Sequence, residues 1–398
     1  MKITDLKCAV IGNNPVVRIN TDEGIYGLGQ VEASKSYLKP HVLFYKDLIL
    51  GQDPTDVERV MLKIRRLGSF KPWGSAVSAI EMALWDIAGK AVGAPVYKLL
   101  GGKIRDRVRV YNGAVRFPMA GGQSPANYAD NMQRMKDAPQ KFSIIKQGLA
   151  FHGGRITESP KHFYGTHQPG PFHANRGPLS ERGLNYIVDC IRAMKEVCGD
   201  EVGLALDLGP GFLVPDARRL AQAVEDLNVA WLEDMLTGDY VPYVSADHYR
   251  EVTQSTSTPI HTGEQIYLRH NFQELIEKRA VDVIGPDPCD IGGIAELKWV
   301  AEYADMHGIL MAPHGVLDGL LGLAALVQVA ATLPQNYLAF EYPTGQPEWW
   351  YDIVAGLPDP IVVDSHIAVW DAPGMGVDLI AEEARRYLRE EDAGFFDL

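Results

Sequence analysis

Cysteine is scarce. Cys8, Cys190, Cys198 and Cys289 are the four in 398 residues. No two form a CxxC pair, which argues against a zinc knuckle, and scattered thiols fit a reducing cytosol. Long apolar runs are missing as well. No window approaches the roughly 18 unbroken apolar residues of a membrane-spanning helix. The opening MKITDLKCAV lacks the apolar stretch of a secretory signal. The expected compartment is therefore the cytoplasm, without a membrane partner. Positive charge is in deficit: 38 Lys and Arg face 51 Asp and Glu, a formal net charge of −13. That balance disfavours nucleic acid and anionic membranes as partners. It leaves small substrates open, because one metal ion reverses the field around it.

What the chain does have is a run of acids at the ends of apolar segments. VAWLEDML closes on Glu233 and Asp234, VGLALDLG on Asp207, and PIHTGEQ brings Glu264. A buried strand gains nothing from a carboxylate in its core. At an exposed strand end, a carboxylate can hold a metal.

The N-terminal hundred residues read as an α+β unit. PVVRINTDEGIYGLGQ is two β-like runs around Asp22-Glu23-Gly24, a hairpin pattern. GSAVSAIEMALWDIAGKAVG predicts a helix with Val77, Ile80, Leu84 and Ile87 on one face, stopped by Gly93 and Pro95. From about residue 106 short apolar strands alternate with amphipathic helices. RVRVYNGA, FSIIKQG, VGLALDLG, VAWLED, PIHTGE, VDVIGPD, GILMAPH and YLAFEYP make eight strands. Eight β/α units are the count of a closed (β/α)8 (TIM) barrel. An open doubly wound sheet is the alternative, but no GxGxxG loop follows the first strand. The expected division is a capping domain over 1–105, a barrel over 106–345, and a tail, 346–398, that returns to complete the cap.

About 30 residues of Gly-, Pro- and His-rich sequence separate FSIIKQG from the next helix. Loops of that length are commonly lids or binding loops. His152, His162, His167 and His173 sit in it. They are either incidental to a solvated loop or reach over the site.

In a (β/α)8 barrel the site lies at the C-terminal ends of the strands. Those ends bring, in order, Lys146, Asp207, Glu233, Glu264, Asp287, His314 and Glu341. A lone strand-end acid is often a helix cap, but seven successive strands ending in an ionisable group are not explained that way. Asp234 and Asp290 are left as capping or supporting groups. His261, Gly292 and Gly293 are left as packing or turn residues. Carboxylates converging without His or Cys form a hard oxygen site, which selects Mg2+, or Mn2+, over zinc. Lys146 and His314 come from opposite walls of the ring. Asp287 can fix the tautomer of His314, and a metal beside Lys146 would lower its pKa. Such a site suits proton abstraction next to a carboxylate, with Glu341 bonding the substrate's oxygens.

The motifs resemble the enolase superfamily, and within it the mandelate racemase-like subgroup. SAIEMALWDIAGKAVGAPVYKLLGG is similar to the family's cap signature. WLED, TGEQ, GPDPCDIGGI, APHG and FEYP are similar to its barrel motifs, in family order. The resemblance implies that Asp207, Glu233 and Glu264 bind Mg2+, that Asp287 and His314 form a dyad, and that Glu341 polarises the substrate carboxylate. Two departures stand out. The second-strand Lys-x-Lys of the family is here IIKQG, with Ile144 in the first place. The His that mannonate and galactonate dehydratases carry two residues past the first metal ligand is here Gly209, which counts against those two activities. The expected function is a Mg2+-dependent acid-sugar dehydratase, a lyase giving a 2-keto-3-deoxy acid. A racemase or epimerase working through the same enediolate, and a non-catalytic sugar-acid binding protein, remain as alternatives. The expected partner is a small carboxylate, and the expected assembly a homo-oligomer. Specificity is expected from residues 30–39 and 66–74 of the cap.

Overall fold

The computed structural model describes residues 1–33, 35–66, 74–113, 122–152, 156, 161–165, 177–236, 244–315, 319–342 and 347–397. The cap opens with three antiparallel strands, β1 (Ile3–Ile11), β2 (Asn14–Thr21) and β3 (Tyr26–Gln30), in the order β1-β2-β3. Asp22 to Gly24 form the β2–β3 turn, as the hairpin pattern predicts. The predicted helix spans Gly74–Ala91 and packs on β3 and β2. Val77, Ile80, Leu84 and Ile87 are all buried in the cap core with Leu6, Val17 and Ile19.

The eight predicted strands are all present. They are β4 (Arg107–Asn112), β5 (Ile144–Gly148), β6 (Gly203–Asp207), β7 (Trp231–Glu233), β8 (Ile260–Thr262), β9 (Val283–Ile284), β10 (Leu310–Met311) and β11 (Phe340–Tyr342). Every neighbouring pair from β4 to β10 is parallel, and β11 returns parallel to β4. Met311 N bonds Asn336 O at 2.9 Å and Leu338 N bonds Met311 O at 2.8 Å. These bonds bring the approach to β11 against β10 and close the ring. Helices such as Glu181–Cys198, Val214–Ala223 and Ile294–Met306 cover its outer face.

Inside the ring, Tyr111, Ile144, Ala205, Trp231, Val283, Ala312 and Ala339 form one buried cluster. Tyr111 meets Trp231 edge-on at 5.2 Å. This layer positions the site, because side chains two residues apart share a face of a strand. Two residues beyond Ile144, Ala205, Trp231, Ala312 and Ala339 stand Lys146, Asp207, Glu233, His314 and Glu341. Four beyond Val283 stands Asp287. The packed layer is the floor, and the ionisable groups are the next layer up.

After β11 come β12 (Val354–Ala355), β13 (His366–Ala368) and β14 (Asp378–Leu379). β13 pairs antiparallel with the start of β4, and β12 with β14. The last turns return to the cap, where Val10 N donates to Asp392 Oδ2 at 2.9 Å and Gly12 N to Tyr387 O at 2.9 Å. The four cysteines are buried thiols. Among the described residues no helix is long and apolar enough to cross a membrane.

Candidate active site

Lys146 lies at the centre of the charged layer. Its Nζ donates to Glu233 Oε1 at 2.7 Å and stands 3.1 and 3.2 Å from the two oxygens of Glu341. Asp207 Oδ2 is 3.9 Å away. Burial works against the ammonium charge, but Glu233 and Glu341 outweigh it and push the Lys146 pKa well up. The protein's own groups thus act opposite to the lowering expected from an adjacent metal. Glu233 also accepts from Trp231 Nε1 at 2.8 Å and faces His261 Nδ1 at 3.5 Å. Burial pushes its carboxyl up, yet Lys146 and His261 bring it below its ordinary value. His261 therefore does more than pack: it stacks on Trp231 and faces a candidate metal ligand.

Across the ring, His314 Nδ1 meets Asp287 Oδ2 at 2.6 Å. Its Nε2 stands 3.4 Å from both Glu264 and Glu341. Burial opposes the imidazolium, but Glu264, Glu341 and Asp287 outweigh it and push its pKa well up. Glu341 is therefore shared between Lys146 and His314.

One carboxylate oxygen each from Glu233, Asp234 and Glu264 lies within 4.8 Å of the other two, a group able to hold a metal ion. Asp234 is the residue that strand-end counting missed. Neighbours on a strand face opposite ways, so Glu233 alone is expected inward. Asp234 instead takes φ +52°, an uncommon conformation outside glycine. Its Oδ1 accepts from Thr262 Oγ1 at 2.6 Å. Asp207 is drawn to His152, whose Nδ1 is 3.0 Å from its Oδ2. Its charge still acts on Glu233, Asp234 and Glu264. Burial, with Glu233 and Asp207 nearby, pushes Asp234 well up. Burial, with Asp234 and Asp207, does the same to Glu264. Acids whose pKa burial and mutual repulsion push up, gathered in an all-oxygen site, fit a hard divalent cation, which relieves that repulsion.

Glu264 breaks the two-residue phase. It follows His261, which points inward, by three positions, and Gly263 at φ +142° between them makes the slip. Glycine adopts that backbone freely. Gly209 explains the missing histidine. A Cβ there would lie 1.5 Å from Asp234 O, so no side chain fits without moving the backbone beside the acid cluster.

Of the four loop histidines, His152 reaches the site. His162 is structural: its Nδ1 pairs with Ile156 O at 3.0 Å and its ring stacks on Tyr186. His167 and His173 lie outside the described residues, as does 67–73 of the expected specificity segment. Asp290 meets Lys35 of the cap, whose Nζ is 3.5 Å from its Oδ1.

Residues 11–101 match the mandelate racemase/muconate lactonizing enzyme N-terminal domain, and residues 168–384 match the enolase C-terminal domain-like family. A D-xylonate dehydratase of Haloferax volcanii is 33% identical over 99% of this chain and 90% of its own. A D-galactonate dehydratase of Variovorax paradoxus is 28% identical over 92% of this chain and 88% of its own. Among solved structures, a mandelate racemase/muconate lactonizing enzyme-like protein from Rubrobacter xylanophilus superposes with a TM-score of 0.83, at 31% identity and 98% coverage of both chains. Cap and barrel together, the chain belongs to the mandelate racemase/muconate lactonizing enzyme family of the enolase superfamily.

Proposed function

We propose that the protein is a Mg2+-dependent acid-sugar dehydratase, a hydro-lyase acting on an aldonate. The observation that carries this reading is an acid cluster flanked by two proton carriers. Lys146 and His314 approach one carboxylate, Glu341, from different strands. The similarity to D-xylonate and D-galactonate dehydratases supports it.

Asp207, Glu233 and Glu264 are the residues proposed to hold the cation, with Asp234, fixed by Thr262, converging on Glu233 and Glu264 beside them. When bound, the cation supplies positive charge against the substrate carboxylate, which stabilises an enediolate. Glu341 is placed to hydrogen-bond the same carboxylate. Of the two carriers, one removes the C2 proton and the other delivers a proton to the departing 3-hydroxyl. The acid is assigned to His314, whose Nδ1 is held by Asp287 and whose Nε2 faces Glu341, the group placed on the substrate carboxylate. Lys146 is then the base. It must lose its proton before the step, and its pairing with Glu233 opposes that. A cation drawing on Glu233 would weaken that opposition.

The same two-sided arrangement serves an epimerase, which needs a base on each face of C2. The products separate the two. D-Xylonate, D-galactonate and a panel of aldonates would be incubated with the protein and Mg2+ in 2H2O. A 2-keto acid that reacts with semicarbazide is the expected product. Recovery of a C2 epimer carrying deuterium, with no keto acid, would replace the dehydratase reading.

A further inference from the structure

The loop after β9 carries Asp287, and the cap holds that loop from outside the barrel. Gly292 N donates to Ser78 Oγ at 2.9 Å. Ile294 N and Ala295 N donate to the Glu81 carboxylate at 2.8 and 2.9 Å. These bonds come from the helix Gly74–Ala91. A further tie comes from the segment after β3. Lys35 Nζ stands 3.5 Å from Asp290 Oδ1 and pairs with Glu32 as well. Glu32 and Asp290 are both buried, and Glu32 N is pinned to Ser75 Oγ at 3.1 Å. Burial opposes the Lys35 charge, but Asp290, Glu32 and Asp287 outweigh it.

Asp290 belongs to a single turn with Asp287. Asp290 N and Ile291 N donate to Asp287 O at 3.0 and 2.7 Å. Cys289 N donates to Asp287 Oδ1 at 2.6 Å. That leaves Oδ2 directed at His314 Nδ1. The aim of the carboxylate therefore depends on the shape of this turn, and Lys35 holds the turn's far end.

We infer that Lys35 is a positioning residue for the Asp287–His314 pair: through Asp290 it fixes the turn that aims Asp287 at His314. Without the ammonium, the ion pair that ties Asp290 and Glu32 to Lys35 is lost, and the far end of the turn is no longer held from the cap. The cap would then set turnover as well as substrate choice. The kinetic arm of the test rests on the dehydratase reading, and the exchange arm does not.

Two measurements on the full-length protein test this. The first is steady-state kinetics with the aldonate that the wild type turns over in the screen above, D-xylonate first. Lys35→Met is expected to lower kcat about 10- to 100-fold, the range for residues that orient a functional side chain. KM should stay within about twofold, since a positioning group acts on the chemical step. Lys35→Arg should recover most of the loss. The second is amide hydrogen exchange without substrate. Peptides covering 287–295 should exchange faster in Lys35→Met and return toward wild type in Lys35→Arg. Asp290→Asn removes the other end of the pair and should give the same split, which covers a poorly folded Lys35→Met. A wild-type exchange pattern in a folded Lys35→Met overturns the inference whatever the kinetics. So does a raised KM at unchanged kcat, which would assign Lys35 to substrate contact. If the wild type turns over no aldonate, the dehydratase reading fails, while the exchange result still decides the role of Lys35.

Discussion

His314 donates its Nδ1–H to Oδ2 of Asp287 at 2.6 Å, with both side chains buried. That bond leaves Nε2 facing Glu264 and Glu341. Replacing His314 with Asn removes the proton carrier itself. The expected loss in kcat is about 10²–10⁴-fold, the usual worth of general acid–base catalysis. Asp287→Asn keeps the shape and weakens the orientation, so about 10- to 100-fold is expected. Circular dichroism should show both variants folded. Near-native turnover by His314→Asn would remove His314 from the mechanism.

The metal reading is tested by titration calorimetry with MgCl2, which needs no substrate. Asp207→Asn, Glu233→Gln and Glu264→Gln should each weaken binding by more than about 100-fold, as first ligands of the ion. Asp234→Asn should weaken it by about 10-fold, in the range for groups that orient ligands. Exhaustive chelation should abolish turnover, and Mg2+ should restore it. Unchanged affinity in Asp207→Asn together with abolished affinity in Asp234→Asn would move the third ligand to Asp234.

His152 ties the long loop to Asp207 at 3.0 Å, with its side chain about a quarter exposed. Removing a side chain so placed costs the fold little. His152→Ala should therefore leave the melting temperature within about 2 °C and lower kcat/KM about 10-fold. Wild-type kcat/KM would return the loop histidine to an incidental contact.

Most of the barrel and much of the candidate site are legible because both follow one period. Interior residues such as Ala205 and Trp231 share a strand face with Asp207 and Glu233 two positions on, so apolar patterning alone points to the mouth. Where the backbone leaves that period, the sequence offers no warning. Asp234 enters the acid cluster through a left-handed residue that is not glycine. Glu264 falls one position out of phase because of Gly263, so its place at a strand end points to it where the period does not. His152 was one of four histidines in a loop with no periodicity to rank them. Contacts between distant segments, such as Lys35 with Asp290 or β13 with β4, leave no local trace in either partner. The exact strand ends are less legible. Lys146 lies within β5 and Glu341 within β11, whereas Asp287 and His314 lie three residues past β9 and β10.

Glu81 gives a prediction about stability. It is fully buried and accepts from Trp85 Nε1 at 2.7 Å as well as from Ile294 N and Ala295 N. Burial pushes its carboxyl up to about 7, against the three donors, from an ordinary value of 4.5. The folded protein therefore keeps a proton that the unfolded chain releases. The stabilisation this gives is full below the unfolded value and is lost as pH rises through about 7. Its size is on the order of 3 kcal/mol. Wild-type unfolding free energy should thus fall between pH 5 and pH 8 more steeply than that of Glu81→Gln, which cannot titrate there. Glu81→Gln should also be less stable at pH 5, by about 1–3 kcal/mol, because its amide turns an N–H toward donors that need an acceptor. Urea melts of both proteins at pH 5, 6, 7 and 8 measure the difference. Parallel curves would mean that the three donors outweigh burial and that Glu81 stays charged across the whole range.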